Sequence, residues 1–209
     1  MVGLKPKAVA VATAVGVMGN KALSSCVAIR HCLPMNASLT DTLCTQCALC
    51  CDGSLFADVE LTGRAEATGL EILGLEIEDD DADGGLLSLP CAALQGKRCG
   101  IYAHRPQCCR TFECGLLQDV RHGAVSVDRA RERIAEALER IGRVRELLAQ
   151  LGQRNRRLPL KESCAEALAR NGKADPEVSR KRAELEGAMA AVEEMLQKTF
   201  LPTGRDERS

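Results

Sequence analysis

The sequence predicts an α+β chain in which a small, irregular, cysteine-dense module of short strands and helices is followed by an antiparallel α-helical hairpin. Three observations predict it. Nine of the twelve cysteines fall between residues 44 and 114. That stretch alternates short strand-like and helix-like runs, with no long period of either kind. Beyond residue 125 the composition turns to Glu, Arg, Ala and Leu, with apolar residues at spacings of three and four. The 209 residues suffice for one ordinary domain, or a small module with an appendage. With 28 Lys and Arg against 29 Asp and Glu, the formal charge of −1 gives no whole-molecule field for nucleic acid or acidic membranes. Three Phe, one Tyr and no Trp leave no stacking platform for single strands, so the core must come from Ala, Val, Leu and Ile and no nucleic-acid partner is expected.

Four segments are expected: an N-terminal leader of unassigned role at 1–39, the cysteine module at 40–125, the helical hairpin at 126–201 and a tail at 202–209. In the leader, Lys5 and Lys7 precede an eleven-residue apolar run from Ala8 to Met18, the outline of a signal peptide. The run is too short to span a bilayer, which takes about 20 apolar residues, so no stable membrane insertion is expected. Lys21 interrupts what would be the uncharged stretch before Cys26. Cytoplasm is therefore the expected compartment, with export through this segment the alternative and Met35 an alternative start.

Within the module, Ser54–Leu61 alternates apolar and polar residues, as a half-buried strand does. Thr62 reads as the N-cap of a short helix holding Glu66, and Ile72–Ile77 returns to strand-like alternation. The acidic run Asp79–Asp83 starts like a calcium loop, but Pro90 stands where a bidentate Glu is needed, so it reads as a solvated turn. In the helical part, Ile134, Leu138, Ile141, Val144, Leu148 and Leu151 form one stripe, with Glu136/Arg140 and Glu139/Arg143 as i,i+4 pairs and Gly152 as the stop. A short helix surrounds Cys164 and ends at Asn171-Gly172. The last begins with Asp175 as N-cap and Pro176 at its first position, carries Val178, Leu185, Met189, Val192 and Leu196 on one face, and ends before Pro202.

The chemistry lies in three cysteine clusters. Cys44, Cys47, Cys50 and Cys51 stand at i, i+3, i+6 and i+7; a helix gathers them on one arc, and a turn still lets a C-x-x-C pair reach one ion. Cys91 and Cys99 flank Gly96, which can turn two short strands back and bring the pair together. Arg105-Pro106-Gln107-Cys108-Cys109-Arg110 and Cys114 set cations beside thiols. Guanidinium groups there offset thiolate charge, which makes Arg105 and Arg110 candidate supports. A disulfide framework fits the even total but needs an exported chain. A redox C-x-x-C needs a thioredoxin-like βαβ context, which is not visible. Cys26, Cys32 and Cys164 read equally well as buried hydrophobes, and His31, His104 and His122 are alternative ligands, His104 being expected on the surface.

The run CxxCxxCC at 44–51, followed by C-x7-C-G-I-Y-x2-R-P-x2-C-R-x-F from Cys91 to Phe112, resembles the YkgJ-type cysteine cluster family. That family is described as a zinc- or iron-chelating domain and related to flagellin N-methylase sequences. Val59-Glu60-Leu61-Thr62 and Glu66 match its spacer, and the resemblance spans about residues 42–115. It implies metal binding by Cys44, Cys47, Cys50, Cys51, Cys91, Cys99 and Cys109, with Cys114 as an eighth ligand, while Cys108 falls on a variable position. The implied partner is a metal ion, zinc or iron, the latter as an ion or an iron–sulfur cluster, and the module would be stapled by it. No glycine-rich turn for S-adenosylmethionine is visible, so an iron–sulfur or methylase-like enzyme acting on a protein substrate is the second reading. No protein partner can be named.

Overall fold

The computed structural model describes residues 38–78, 84–170 and 175–201. The leader with Cys26, His31, Cys32 and Met35, the acidic run Asp79–Asp83, the Asn171-Gly172 stop and Pro202 with the tail lie outside the described residues. The helical expectations hold closely. Helix α5 (Val127–Gln150) starts where the Ser126 hydroxyl accepts from the Arg129 N–H, and its chain turns away at Gly152, φ 81°. Helix α6 is Leu160–Ala169. Helix α7 (Pro176–Thr199) has Asp175 as N-cap, accepting from Glu177 N–H at 2.8 Å, with Pro176 in its first turn.

The stripes of α5 and α7 form one core. Ile134, Ile141, Val144 and Leu148 are buried against Leu185, Met189, Val192 and Leu196, and Ala130, Ala137 and Leu147 complete the face. Leu138, Leu151 and Val178 are only half-buried, at the edge of the contact. Glu136 pairs with Arg140 at 2.6 Å as expected. Arg143 departs from expectation: it bonds Glu146 and Glu184 of α7 in place of Glu139. That cross-helix pair sets late α5 beside early α7. At the other end the Gly115 N–H donates to the Phe200 carbonyl at 2.9 Å, so α7 returns antiparallel to α5.

The cysteine region contributes to the same core. Helices α1 (Leu39–Cys47) and α4 (Gly115–Arg121) pack on α5, burying Leu43, Leu49, Leu116 and Leu117 there. Cys164 of α6 is buried in it as a small apolar group. The described residues group as one compact unit.

A second, smaller core of Leu61, Ala67, Leu70, Leu75 and Leu87 lies under an antiparallel pair, β1 (Asp58–Glu60) and β2 (Leu86–Ser88), and helix α2 (Arg64–Ile72). Several expectations are corrected here. The strand predicted from Ser54 shrinks to Asp58–Glu60, because Ser54 N–H turns onto the Asp52 carboxylate and Leu55 N–H onto the Leu49 carbonyl. Gly63, not Thr62, is the N-cap of α2. The alternation from Ile72 is no regular strand: α2 runs through Ile72, the chain turns at Gly74 (φ 85°), and pairing resumes only at Glu78 opposite Leu86. A second hairpin joins β3 (Leu94–Gln95) to β4 (Arg98–Cys99), with helix α3 at Gln107–Thr111 after it. Among the described residues, no helix is long and apolar enough to cross a membrane.

Candidate metal centre

The first cluster is neither one helix nor one turn. Cys44 and Cys47 occupy the last turn of α1, one helical turn apart and so on one face. The helix stops because Ala48 takes a left-handed backbone (φ 65°), its N–H closing on the Cys44 carbonyl at 3.1 Å. Cys50 and Cys51 follow in a turn closed by Cys51 N–H to Ala48 C=O at 2.8 Å. Leu49, fully buried, pins this turn into the helical core. Beyond it, Gly53 (φ 73°) lets the chain approach Pro90 and Pro159 so closely that a Cβ would stand 3.1 Å from Pro159 Cα. The Asp52 carboxylate is tied to Arg145 of α5 at 2.9 Å.

The other clusters converge on this turn through the backbone. Cys91 N–H donates to the Cys51 carbonyl at 2.9 Å. As expected, Gly96 (φ 63°) turns β3 into β4, setting Cys99 opposite Leu94, whose N–H reaches the Cys91 carbonyl at 2.9 Å. Lys97 at the hairpin tip donates 2.7 Å to the Gln46 carbonyl at the negative end of α1, locking the hairpin to the helix that carries Cys44 and Cys47. Cys108 and Cys109 sit on α3, whose first N–H, at Gln107, is held 2.6 Å from the Glu66 carboxylate; Glu66 also accepts from Thr62 N–H at 2.8 Å. Phe112 closes α3 edge-on against Phe56, ring centres 5.2 Å apart. Cys114 is the N-cap of α4 and packs on the helical core, as Cys47 does.

All ten described cysteines are free thiols. Burial, aided by neighbouring thiols, pushes Cys44 and Cys51 up to about 11 and Cys47 and Cys109 up to about 12. Cys50 is held well above its usual range, and Cys91 and Cys114 are raised, in each case chiefly by burial. Neighbouring thiols add to the effect of burial. Cys114 acts on Cys44, Cys47 and Cys50. Cys91 acts on Cys51 and Cys109, and Cys99 on Cys51 and Cys91. Burial also raises Cys108, which is hydrogen-bonded to Cys109. Cys164 rises to about 11 through burial and Glu193.

The donor chemistry suits zinc or iron: unbridged thiols from three clusters share one zone, and a soft thiolate set is what those metals take. The set is gathered without being closed, since among the described residues no three His, Cys, Asp or Glu side chains stand ready to hold one ion. Arg105 lies 3.7 Å over the Tyr102 ring, bonds the Tyr102 carbonyl, and its charge lowers Cys44 against the effect of burial. Arg110 is exposed, and the group its charge acts on is Glu66. His104 and His122 are exposed, and Arg154, Arg156 and Arg157 lie on an exposed loop. Glu66, Lys97, Asp52 and Arg145 are positioning groups that residue types alone did not reveal; for Glu66 the only signal was its place in the family spacer.

A search of the curated proteins finds no match, and neither does a search of the solved structures. One family model matches, over residues 43–132: CxxCxxCC, described as "Putative zinc- or iron-chelating domain". The match says nothing of a methylase. It covers the three cysteine clusters, α4 and the start of α5, so over residues 43–132 this chain is similar to the CxxCxxCC, YkgJ-type family.

Proposed function

We propose that the protein binds zinc or iron through Cys44, Cys47, Cys50, Cys51, Cys91, Cys99, Cys109 and Cys114. The observation that carries this reading is the convergence of thiols from residues 44 to 114 onto the turn after α1, all of them unbridged. Gathering so many protonated, half-buried thiols together has no packing advantage over Ala or Val, whereas thiolates around a cation are held by charge as well as by covalency. A bound ion would supply cross-linking between the segments. The chain's own groups do the rest: Glu66 and Lys97 hold α3 and the hairpin in place, and Arg105 offsets negative charge at Cys44. Cys108 stays outside the set.

The test is the metal content of the full chain purified without oxygen. At least one equivalent of zinc or iron per chain is expected, and the visible spectrum separates the two: colourless for zinc, a charge-transfer band between about 400 and 450 nm for an iron–sulfur cluster. Protein that is folded, metal-free and fully titratable for thiols overturns the proposal.

A further inference from the structure

The eight thiols come from segments that belong to different cores, and this divides them. Cys44 and Cys47 share the last turn of α1, α1 packs against α4, and Cys114 opens α4. Cys47 and Cys114 both pack on the helical core, and Cys50 lies beside Leu49, which plugs that core. Cys91 packs on the small core under the β1–β2 pair. Its N–H is bonded to Cys51, the hairpin returns Cys99 to it, and α3 with Cys109 packs on β1. Cys50 and Cys51 are adjacent in sequence, yet Cys50 follows Leu49 of the helical core while the Cys51 carbonyl is bonded to Cys91 on the sheet core.

We infer that, given the metal reading above, the thiols form two four-thiol sites: Cys44, Cys47, Cys50 and Cys114 on the helical core, and Cys51, Cys91, Cys99 and Cys109 on the sheet core. Four thiolates complete the coordination of one divalent ion, so each set has the donors for one ion once its side chains close on it.

The two sites differ in what they hold and in how they are reached. The first rests on helices that are packed without it. It includes the exposed Cys44, and Cys47 lines an open cleft of about 640 Å³ whose walls carry Lys97, Arg145, Arg154 and Arg156. The second joins the turn after α1 to a two-residue-strand hairpin and the five-residue α3, which have only the five-residue sheet core to pack on. The first site is therefore the exchangeable one and the second the staple.

Native mass spectrometry of the full chain loaded with Zn²⁺ alone tests this. The wild type is expected to carry two ions, and to lose one to a chelator at least tenfold faster than the other. Cys50→Ser should retain one ion with unchanged amide protection at Val59 and Leu87. Cys99→Ser should also retain one, but with protection at those two amides reduced at least tenfold. Cys44→Ser and Cys91→Ser repeat the comparison should either first variant fail to fold. A variant of one set that strips all metal, or a wild type holding a single ion or more than two, overturns the division while leaving metal binding intact. A wild type that takes up no Zn²⁺ overturns the metal reading itself.

Discussion

The two cores of this molecule are built on different principles. The helical core buries nineteen residues contributed by five helices and the segments beside them, and its longest helices have 24 residues each. The sheet core buries five residues under two three-residue strands and a nine-residue helix. Each fully buried aliphatic side chain contributes about 1.5–3 kcal/mol, so apolar burial stabilises the first region far more than the second. Cysteines stand at the border between the two: Cys47 and Cys114 pack on the large core, Cys91 on the small one, and the helical segment 126–201 has only Cys164. A metal staple, on the proposed reading, would act where apolar burial is scarcest.

Metal removal should break this comparison open with the largest effect. When the full chain is stripped by a chelator under reducing conditions, amide exchange at Val59, Leu87 and Leu94 is expected to accelerate at least about tenfold, because local unfolding of that region no longer has to release the ion. Ile141, Val144 and Val192 should keep their protection. Equal loosening of both regions would mean that the helical core depends on the metal too. No change in either would mean that the sheet core is held by something other than the thiols.

The same contrast decides how much could be read from the sequence. Helices α5 and α7 were legible because their signals are local and repeated: a Ser or Asp cap, Pro176 in the first turn, an apolar residue every three or four positions. The Gly96 hairpin was legible for the same reason. In the module the elements are too short to show a period, so Ser54–Leu61 and Ile72–Ile77 alternate by composition while their backbones follow Asp52, Leu49 and Gly74. Helices α1 and α4 left weak traces, since nine and seven residues carry few apolar positions, although Ser38 three residues before Asp41 is a cap signal. The cysteines were legible as a set from spacing. Their division was not, because it depends on contacts such as Cys91 to Cys51, Glu66 to Gln107 and Arg145 to Asp52, which join residues 40 to 93 apart.

Proton competition sharpens the contrast next. In the metal-free chain, Cys44 and Cys51 at about 11 and Cys47 and Cys109 at about 12 hold their protons above the usual thiol value of 9.0. The unfolded chain releases those protons near pH 9 while the folded chain keeps them. The stability they contribute is therefore full below pH 9 and is lost as pH rises through 11 to 12. Metal binding runs the other way, because each ligand must lose its proton to coordinate, so affinity rises with pH. Between pH 6.5 and 8.5, competition with a chromogenic chelator is expected to show affinity rising by as much as tenfold per pH unit for each proton displaced, so a site of four thiols gives a slope of up to about 4. A slope near zero would mean that the thiols are not the ligands.

The smallest expected effect belongs to Glu66, the single carboxylate joining α2 to the cysteine-bearing helix α3. Burial alone would raise its carboxyl, but the Thr62 and Gln107 N–H donors and the charge of Arg110 outweigh it and hold the group below the usual range. Its contribution is therefore present at neutral pH and fades as pH falls through its lowered value, when the proton displaces a donor. Glu66→Gln removes the charge and keeps one acceptor for the two N–H donors, leaving the other to water at this exposed position, for a net cost of about 1 kcal/mol. Because Glu66 acts on α3 and not on α1, the loss should appear as faster chelator removal of the metal that Cys109 binds, by roughly fivefold, the rate equivalent of that energy. Release governed by Cys44, Cys47, Cys50 and Cys114 should stay at the wild-type rate, and in the variant the acid-dependent weakening of the Cys109 site should flatten. Uniform acceleration of all metal release in Glu66→Gln would show that α3 supports the whole thiol zone and that the two cores are coupled through it.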